Sequence, residues 1–349
     1  MDLNVVLPFL SSALSFVFAA LVGDQWIRRR QPYQLVWTIG LLWYGISAGT
    51  EFLGGAFGWN EALYRTWYLT GAVWVAAWLG LGSVYLLART RFGFAFAGAL
   101  LLAGLFTYLT QRRYEYPEAG VAPILYGLIA VVGAIAVSYL SWRRSAAWAH
   151  VAAMLIVGGT IVSVVMMLVI QLPAPGFAIA PGSGTPTGEL FPGYLRLLTP
   201  FMNISGAFAL VLGAIFSAYV FMPKKRLMTY KLRADQGVAT RLGSLLLAPI
   251  AIAVNFIASL PASIAALASG RLNSRVPATL LIALGGIVVS VTSGLGRFGD
   301  TSAHAIGLLI GVLLIFIGFL VSIEVFSDVR LPFTRVILVR RNRTERAPR

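Results

Sequence analysis

The chain has 349 residues, 58% of them hydrophobic and only 11% charged, and its mean hydropathy is +0.83. Soluble proteins carry about 25% charged residues, and a soluble domain of this length could not cover so much apolar surface, so the class is polytopic membrane protein. The net charge of +15 sits in short loops between apolar runs, which a membrane explains and nucleic-acid binding does not; cysteine is absent, which excludes disulfides, thiolate nucleophiles, iron–sulfur clusters and Cys-ligated zinc.

Apolar segments of about 20 residues predict spanning helices. In order they fall near 4–23, 33–57, 66–88, 92–109, 119–140, 147–170, 196–222, 276–295 and 303–327. The first has no basic n-region and no small-residue cleavage site, and its basic cluster Arg28–Arg30 follows it. That is the pattern of an anchor whose start lies outside. The second runs through YQLVWTIGLLWYGISAGTEFLGGAFGW, Tyr33 to Trp59, and carries one internal charge, Glu51. The outer connection 171–195, rich in Pro, Gly, Ser and Thr, reads as a flexible cover or an irregular lid.

Basic residues set the orientation. With the N-terminus outside, the inner connections hold Arg28, Arg29, Arg30, Arg89, Arg91, Arg143, Arg144 and the basic segment 223–241. The outer side holds only Arg65, Arg112, Arg113 and Arg196 over the same region. Residues 242–270 are apolar, begin and end beside basic residues, and contain Pro261, which would break a continuous helix. They read as a re-entrant or inner-leaflet helical hairpin, with ten simple spans and an outside tail as the rival. The expected fold is an all-α integral membrane protein. An N-out seven-helix bundle over 1–222 is followed by a basic cytoplasmic linker over 223–241. A C-terminal membrane region over 242–327 holds the broken segment and two further spanning helices, and a basic cytoplasmic tail covers 328–349. The expected location is a bacterial inner (plasma) membrane.

The runs DQWIRRRQPYQLVW, LYRTWYLTGA and LGLGSVYLL resemble a group of uncharacterised bacterial polytopic membrane proteins. The resemblance covers the first three helices and implies no activity, cofactor or site.

Small-xxx-small pairs at Gly45/Gly49, Gly54/Gly58 and Gly307/Gly311 predict close helix packing. Trp26, Trp59, Trp67, Trp142 and Trp148 fall near helix ends, where interfacial anchoring is the default. Glu51 lies about six residues inside the outer end of its helix, roughly 9 Å deep at 1.5 Å per residue. A charge at mid-membrane costs about 2.5–3.5 kcal/mol on insertion scales, so an intramembrane acid is a functional hypothesis; the bland alternative is a packing hydrogen bond. Similar depth reaches Ser11, Ser12, Trp74, Tyr126, Ser163 and Asn203. Trp67, Gly71, Trp74 and Trp78 share one face at α-helical spacing. The candidate ligand-binding layer is therefore Glu51, Trp74, Tyr126, Ser163 and Asn203, and aromatics beside a carboxylate suit a cationic or amphipathic ligand. Glu324 reads as an ion-pair partner of Arg330 or Arg335. Asp24 reads as a solvated helix end paired with Arg28.

Other chemistries fail. The seventh helix has no lysine for a retinal Schiff base. His150 and His304 sit at helix ends on opposite sides, so they cannot share a metal or haem. No Ser–His pair lies together at depth for intramembrane proteolysis, and no phosphate-binding glycine loop is present. The chain leans away from an enzyme, with no catalytic residue, cofactor or metal expected. The leading function is a ligand-binding sensor or receptor-like bundle with an outward pocket around Glu51. A secondary transporter for a small amphipathic or cationic molecule, and a structural membrane subunit, are the alternatives. The expected partners are the lipid bilayer, that small ligand, and a cytoplasmic or membrane protein.

Overall fold

The computed structural model describes residues 3–180, 184–229, 238–296, 301–322, 328–334 and 336–340. These are almost wholly helical. In order they are α1 (Leu3–Arg29), α2 (Pro32–Phe57), α3 (Glu61–Trp67), a π-helix (Tyr68–Trp74), α4 (Val75–Leu86), α5 (Gly93–Tyr114), α6 (Ala122–Trp142) and α7 (Trp148–Val169). They continue as α8 (Gly193–Phe221), α9 (Val238–Ala268), α10 (Arg275–Gly296) and α11 (Thr301–Val321). Two short antiparallel strands, β1 (Asp328–Arg330) and β2 (Ile337–Arg340), follow. Among the described residues nine helical stretches are long and apolar enough to cross a membrane, which makes this a multi-pass membrane protein. Helices suit a bilayer because each satisfies its backbone polar groups within its own segment.

Helix ends follow local chemistry. Pro32 opens α2, where its missing N–H costs nothing. Gly58, at φ 93°, closes it, and its N–H donates to the Gly54 carbonyl. Asn60 caps α3 by accepting the Leu63 N–H at 2.9 Å. The helices α3 and α4 form one span interrupted by the π-helix, where the Val75 N–H reaches back to Thr70.

Two large apolar cores share the bundle, beside a smaller one at the end of α8. One is built by α4 to α8 around Leu100, Ile156, Leu195 and Trp148. The other joins α1, α2 and α11 through Phe18, Trp37 and Phe319, with Phe18–Phe319 centroids at 5.0 Å and Trp37–Phe319 at 4.6 Å. Backbones meet where α4 crosses α8: a Cβ on Gly80 would lie 2.2 Å from the Gly206 carbonyl oxygen. The α10–α11 pair is equally close at Gly311, where a Cβ would meet Val289 at 2.2 Å. Small residues at such crossings supply the van der Waals contact that replaces the hydrophobic drive lost in lipid. Gly54 and Gly58 work differently: Gly54 seats the Trp59 ring, and Gly58 ends its helix.

The expectation of a broken segment at 242–270 is overturned. The α9 helix runs unbroken from Val238 to Ala268, straight through Pro261. A proline removes one hydrogen bond and crowds one carbonyl, which a long helix in an apolar setting tolerates, as α1 does at Pro8 and α8 at Pro200. The tail still returns to the end of the bundle where α1 finishes. The Phe333 N–H donates to Asp24 Oδ1 at 3.0 Å, and Arg28 Nη2 donates to the Thr334 carbonyl at 2.8 Å. Asp24 does pair with Arg28, at 2.8 Å, but it is not a solvated end; the hairpin buries it. Trp148 is likewise buried rather than interfacial, donating to the Ala88 carbonyl at 2.9 Å. Glu324 lies outside the described residues, and so do the side chains of Arg330 and Arg335 proposed to pair with it.

Candidate functional site

Glu51 stands near the end of α2, on the side of the bundle opposite Asp24. Its side chain is 13% exposed. Oε1 accepts the Trp67 indole N–H at 2.9 Å, and His304 Nε2 of α11 stands 3.9 Å from the same oxygen. The carboxylate, the imidazole and the Trp59 indole line one half-enclosed cavity of about 250 Å³. Its far wall is the first turns of α1, with Asn4, Val5 and Pro8. Its roof is the 171–195 connection at Ile179 and Thr185. The Trp59 Nε1 is buried with no hydrogen-bond partner among the described residues, so a donor stands at the cavity wall beside an acceptor.

The roof is held, not loose. Ala180 N–H donates to the Thr185 carbonyl at 2.8 Å and Thr187 N–H to the Ala178 carbonyl at 2.9 Å, making a small hairpin. Tyr64 donates to the Thr187 carbonyl and stacks on Phe191 with centroids 4.9 Å apart and planes at 7°. Arg65 donates to the carbonyls of Met167 and Ile170, the orphan acceptors at the end of α7, and to Glu61 Oε1 at 2.7 Å. One face of α3 therefore pins both ends of the connection.

The five residues of the expected layer do not form one site. Trp74 and Ser163 do meet, with Trp74 Nε1 donating to Ser163 Oγ at 2.9 Å. Asn203 Nδ2 donates to the Ala72 carbonyl at 2.7 Å, inside the π-helix. Tyr126 donates to the Tyr194 carbonyl at 3.0 Å, on the α6–α8 contact. Only Glu51 lines the cavity. The shared face of Trp67, Gly71, Trp74 and Trp78 is also divided. Trp67 and Gly71 face α2, meeting Glu51 and Ser47; Trp74 lies between, its ring 4.8 Å from that of Trp43 of α2 and its N–H donating to Ser163 of α7; and Trp78 donates to Thr160 of α7. Counting at α-helical spacing fails because the π-helix between them changes the angular step.

Trp67, Trp59 and His304 complete the surroundings of Glu51; the sequence suggested interfacial anchoring for the two indoles and offered His304 only as a metal or haem ligand with His150. The signal for His304 was its depth: it starts the last helix at the same end as Glu51. Trp67 comes 16 residues after Glu51, at the end of the next helix. Beneath the cavity, Ser11 and Ser15 of α1 are wholly buried, and their hydroxyls have no partner among the described residues. Tyr44 donates to the Leu308 carbonyl at 2.7 Å at a similar level. Below them the rings of Phe18, Phe316, Phe319 and Trp37 close the seam between α1, α2 and α11. Among the described residues no group of three or more His, Asp and Glu could hold a metal ion. The arrangement can therefore offer charge, hydrogen bonds and aromatic faces to a small guest. No protein-family model, curated protein or solved structure matches the chain.

Proposed function

We propose that this is an inner-membrane protein that binds a small cationic or amphipathic molecule from outside, in the cavity beside Glu51. It acts as a ligand-binding sensor or receptor-like bundle and does no covalent chemistry. The observation that carries this reading is a largely enclosed carboxylate, held by the Trp67 indole N–H, beside the Trp59 indole in a cavity of about 250 Å³ under an anchored roof. A carboxylate neutralises a cation, and the Trp59 indole adds cation–π attraction that grows as water is excluded. The volume lies just below the range of about 300–1,000 Å³ common for drug-sized ligands, which restricts the guest to a small amine or short-chain amphiphile. The N-out, C-in orientation rests on the loop charges.

A permease is the second reading. It is favoured by the π-helix Tyr68–Trp74 in mid-span, next to the cavity, because π-turns collect at functional sites. The proline break that would also have favoured transport is absent from α9.

The test is thermal unfolding of the purified protein in nanodiscs against a panel of small primary, quaternary and short-chain amphiphilic amines. A binder raises the melting temperature in proportion to the logarithm of its concentration. The expected result is stabilisation of the wild type that Glu51→Gln abolishes. Stabilisation of both proteins alike, or of neither by any member, overturns the site.

A further inference from the structure

The α9 helix is built inside out. Its buried stripe is Ala248, Ala251, Asn255, Ser259 and Ser263, and its exposed stripe is apolar, with Leu247, Ile250, Ile257, Ile264 and Leu267. The polar stripe clasps the chain that has just left α8. Asn255 Oδ1 accepts the N–H groups of Leu227 and Met228 at 2.7 and 2.9 Å, and Asn255 Nδ2 donates to the Met228 carbonyl at 2.7 Å. Ser259 Oγ accepts the Lys225 N–H at 2.9 Å.

These contacts fix the direction of the helix. Ile252, Phe256 and Leu260 pack on Ala218, Tyr219 and Met222 at the end of α8 and on Val276 at the start of α10. The Arg275 guanidinium lies 4.2 Å from the centroid of the Phe221 ring. Thus the middle of α9 and the start of α10 both sit at the level where α8 ends. A helix standing upright would change depth by about 20 Å between Asn255 and Ala268. Beyond those contacts α9 packs lightly on its neighbours, whereas α10 packs extensively on both α8 and α11. Its length and apolar content alone would allow a crossing.

We propose that α9 lies in the plane of the membrane, in the headgroup layer at the Asp24 end, and that anionic phospholipid holds it there. Its apolar stripe enters the acyl boundary, as the apolar face of an interfacial helix does. The charge matches. Residues 222–275 contain Lys224, Lys225, Arg226, Lys231, Arg233, Arg241, Arg271 and Arg275 against one acid, Asp235. Lys224, Lys225 and Arg226 are exposed on the segment that Asn255 and Ser259 grip. Each basic residue near an anionic surface is worth about fivefold in partitioning. An in-plane α9 also lets α10 and α11 return the tail to the side on which α1 ends, in keeping with the Asp24–Phe333 contact.

The experiment uses the full-length, naturally Cys-free chain with single cysteines at Ile250, Ile257 or Ile264, each spin-labelled and reconstituted. Collision with oxygen and with a water-soluble nickel chelate gives the depth of each label. In vesicles containing phosphatidylglycerol the three labels should lie at one shallow depth. A progressive change through about 21 Å along the three sites would mean that α9 crosses, and would overturn the proposal. In phosphatidylcholine alone, access of the nickel chelate should rise several-fold. The triple variant Lys224→Gln, Lys225→Gln, Arg226→Gln should show the same rise even with phosphatidylglycerol present. Equal access in both lipids, or no effect of the triple variant, would overturn the role of anionic lipid.

Discussion

Glu51 of α2 and His304 of α11 stand 3.9 Å apart at the cavity wall, although they come from opposite ends of the sequence. The pair ties the C-terminal helices to the first two, on the same seam where Phe18 meets Phe319. A guest that reaches the carboxylate therefore touches both parts of the chain at once.

Glu51→Leu should lower stability more than Glu51→Gln. Leucine leaves the Trp67 indole N–H without its acceptor, whereas glutamine keeps an oxygen in place. A buried donor left unpaired costs about 1–3 kcal/mol, and the partial exposure of Trp67 argues for the lower end. Unfolding in detergent measures the difference. Equal stability of the two variants would show that the Trp67 bond contributes nothing.

Glycines of opposite kinds should respond in opposite directions. Gly80→Ala puts a methyl 2.2 Å from a backbone oxygen of α8, so the α4–α8 crossing must open, at a cost of about 1–3 kcal/mol. Gly98→Ala meets nothing within 4 Å inside α5 and should gain up to about 1 kcal/mol of helix propensity. Melting temperatures of the two variants check both signs.

Ser12 and Ser15 of α1 form a similar contrast. Ser12 Oγ donates to the Gly45 carbonyl at 2.8 Å, and Ser12→Ala should lose about 0.5–1.5 kcal/mol. Ser15 Oγ has no partner among the described residues, so Ser15→Ala removes a desolvated hydroxyl and should hold or raise the melting temperature. A marked loss at Ser15 would mean that its hydroxyl is satisfied in the membrane, for instance by an internal water.

Asn255→Ala should free the 225–228 segment from α9, because three hydrogen bonds to Leu227 and Met228 go with the side chain. Trypsin cleavage after Lys225 and Arg226 should accelerate several-fold in inside-out vesicles, while Asn255→Asp, which keeps an acceptor, should show a smaller effect. Unchanged cleavage in the alanine variant would mean that the clasp does not order that segment.

Reporter fusions after Arg30 and Arg341 should read the same side of the membrane. The contact of Phe333 and Thr334 with Asp24 and Arg28 requires it. Opposite readings would contradict the described position of the tail hairpin.

Span after span was legible from composition, because twenty apolar residues in a row leave few alternatives. The expected 147–170 and 276–295 lie within a residue of α7 and α10. Glu51 was legible for the same reason: an acid in an apolar run is conspicuous. Its neighbours were not. Depth counting gives height but no azimuth, so Tyr126 and Asn203 were grouped with it although they point into other contacts. His304 was discounted because it was weighed only as a partner of His150. The error at Pro261 came from carrying a helix-breaking rule into a segment where the helix simply continues.

The π-helix Tyr68–Trp74 has a mechanical meaning. One extra residue in a helix is worth about 100° of rotation, and that offset is stored between Trp67, which holds Glu51, and Trp78, which holds Thr160 of α7. The span is thus a shaft with a slipped tooth. Trp74, the one indole between those two, sits at the slipped tooth and reaches both sides, its ring against Trp43 of α2 and its N–H on Ser163 of α7, while Asn203 grips the same turn through the Ala72 carbonyl.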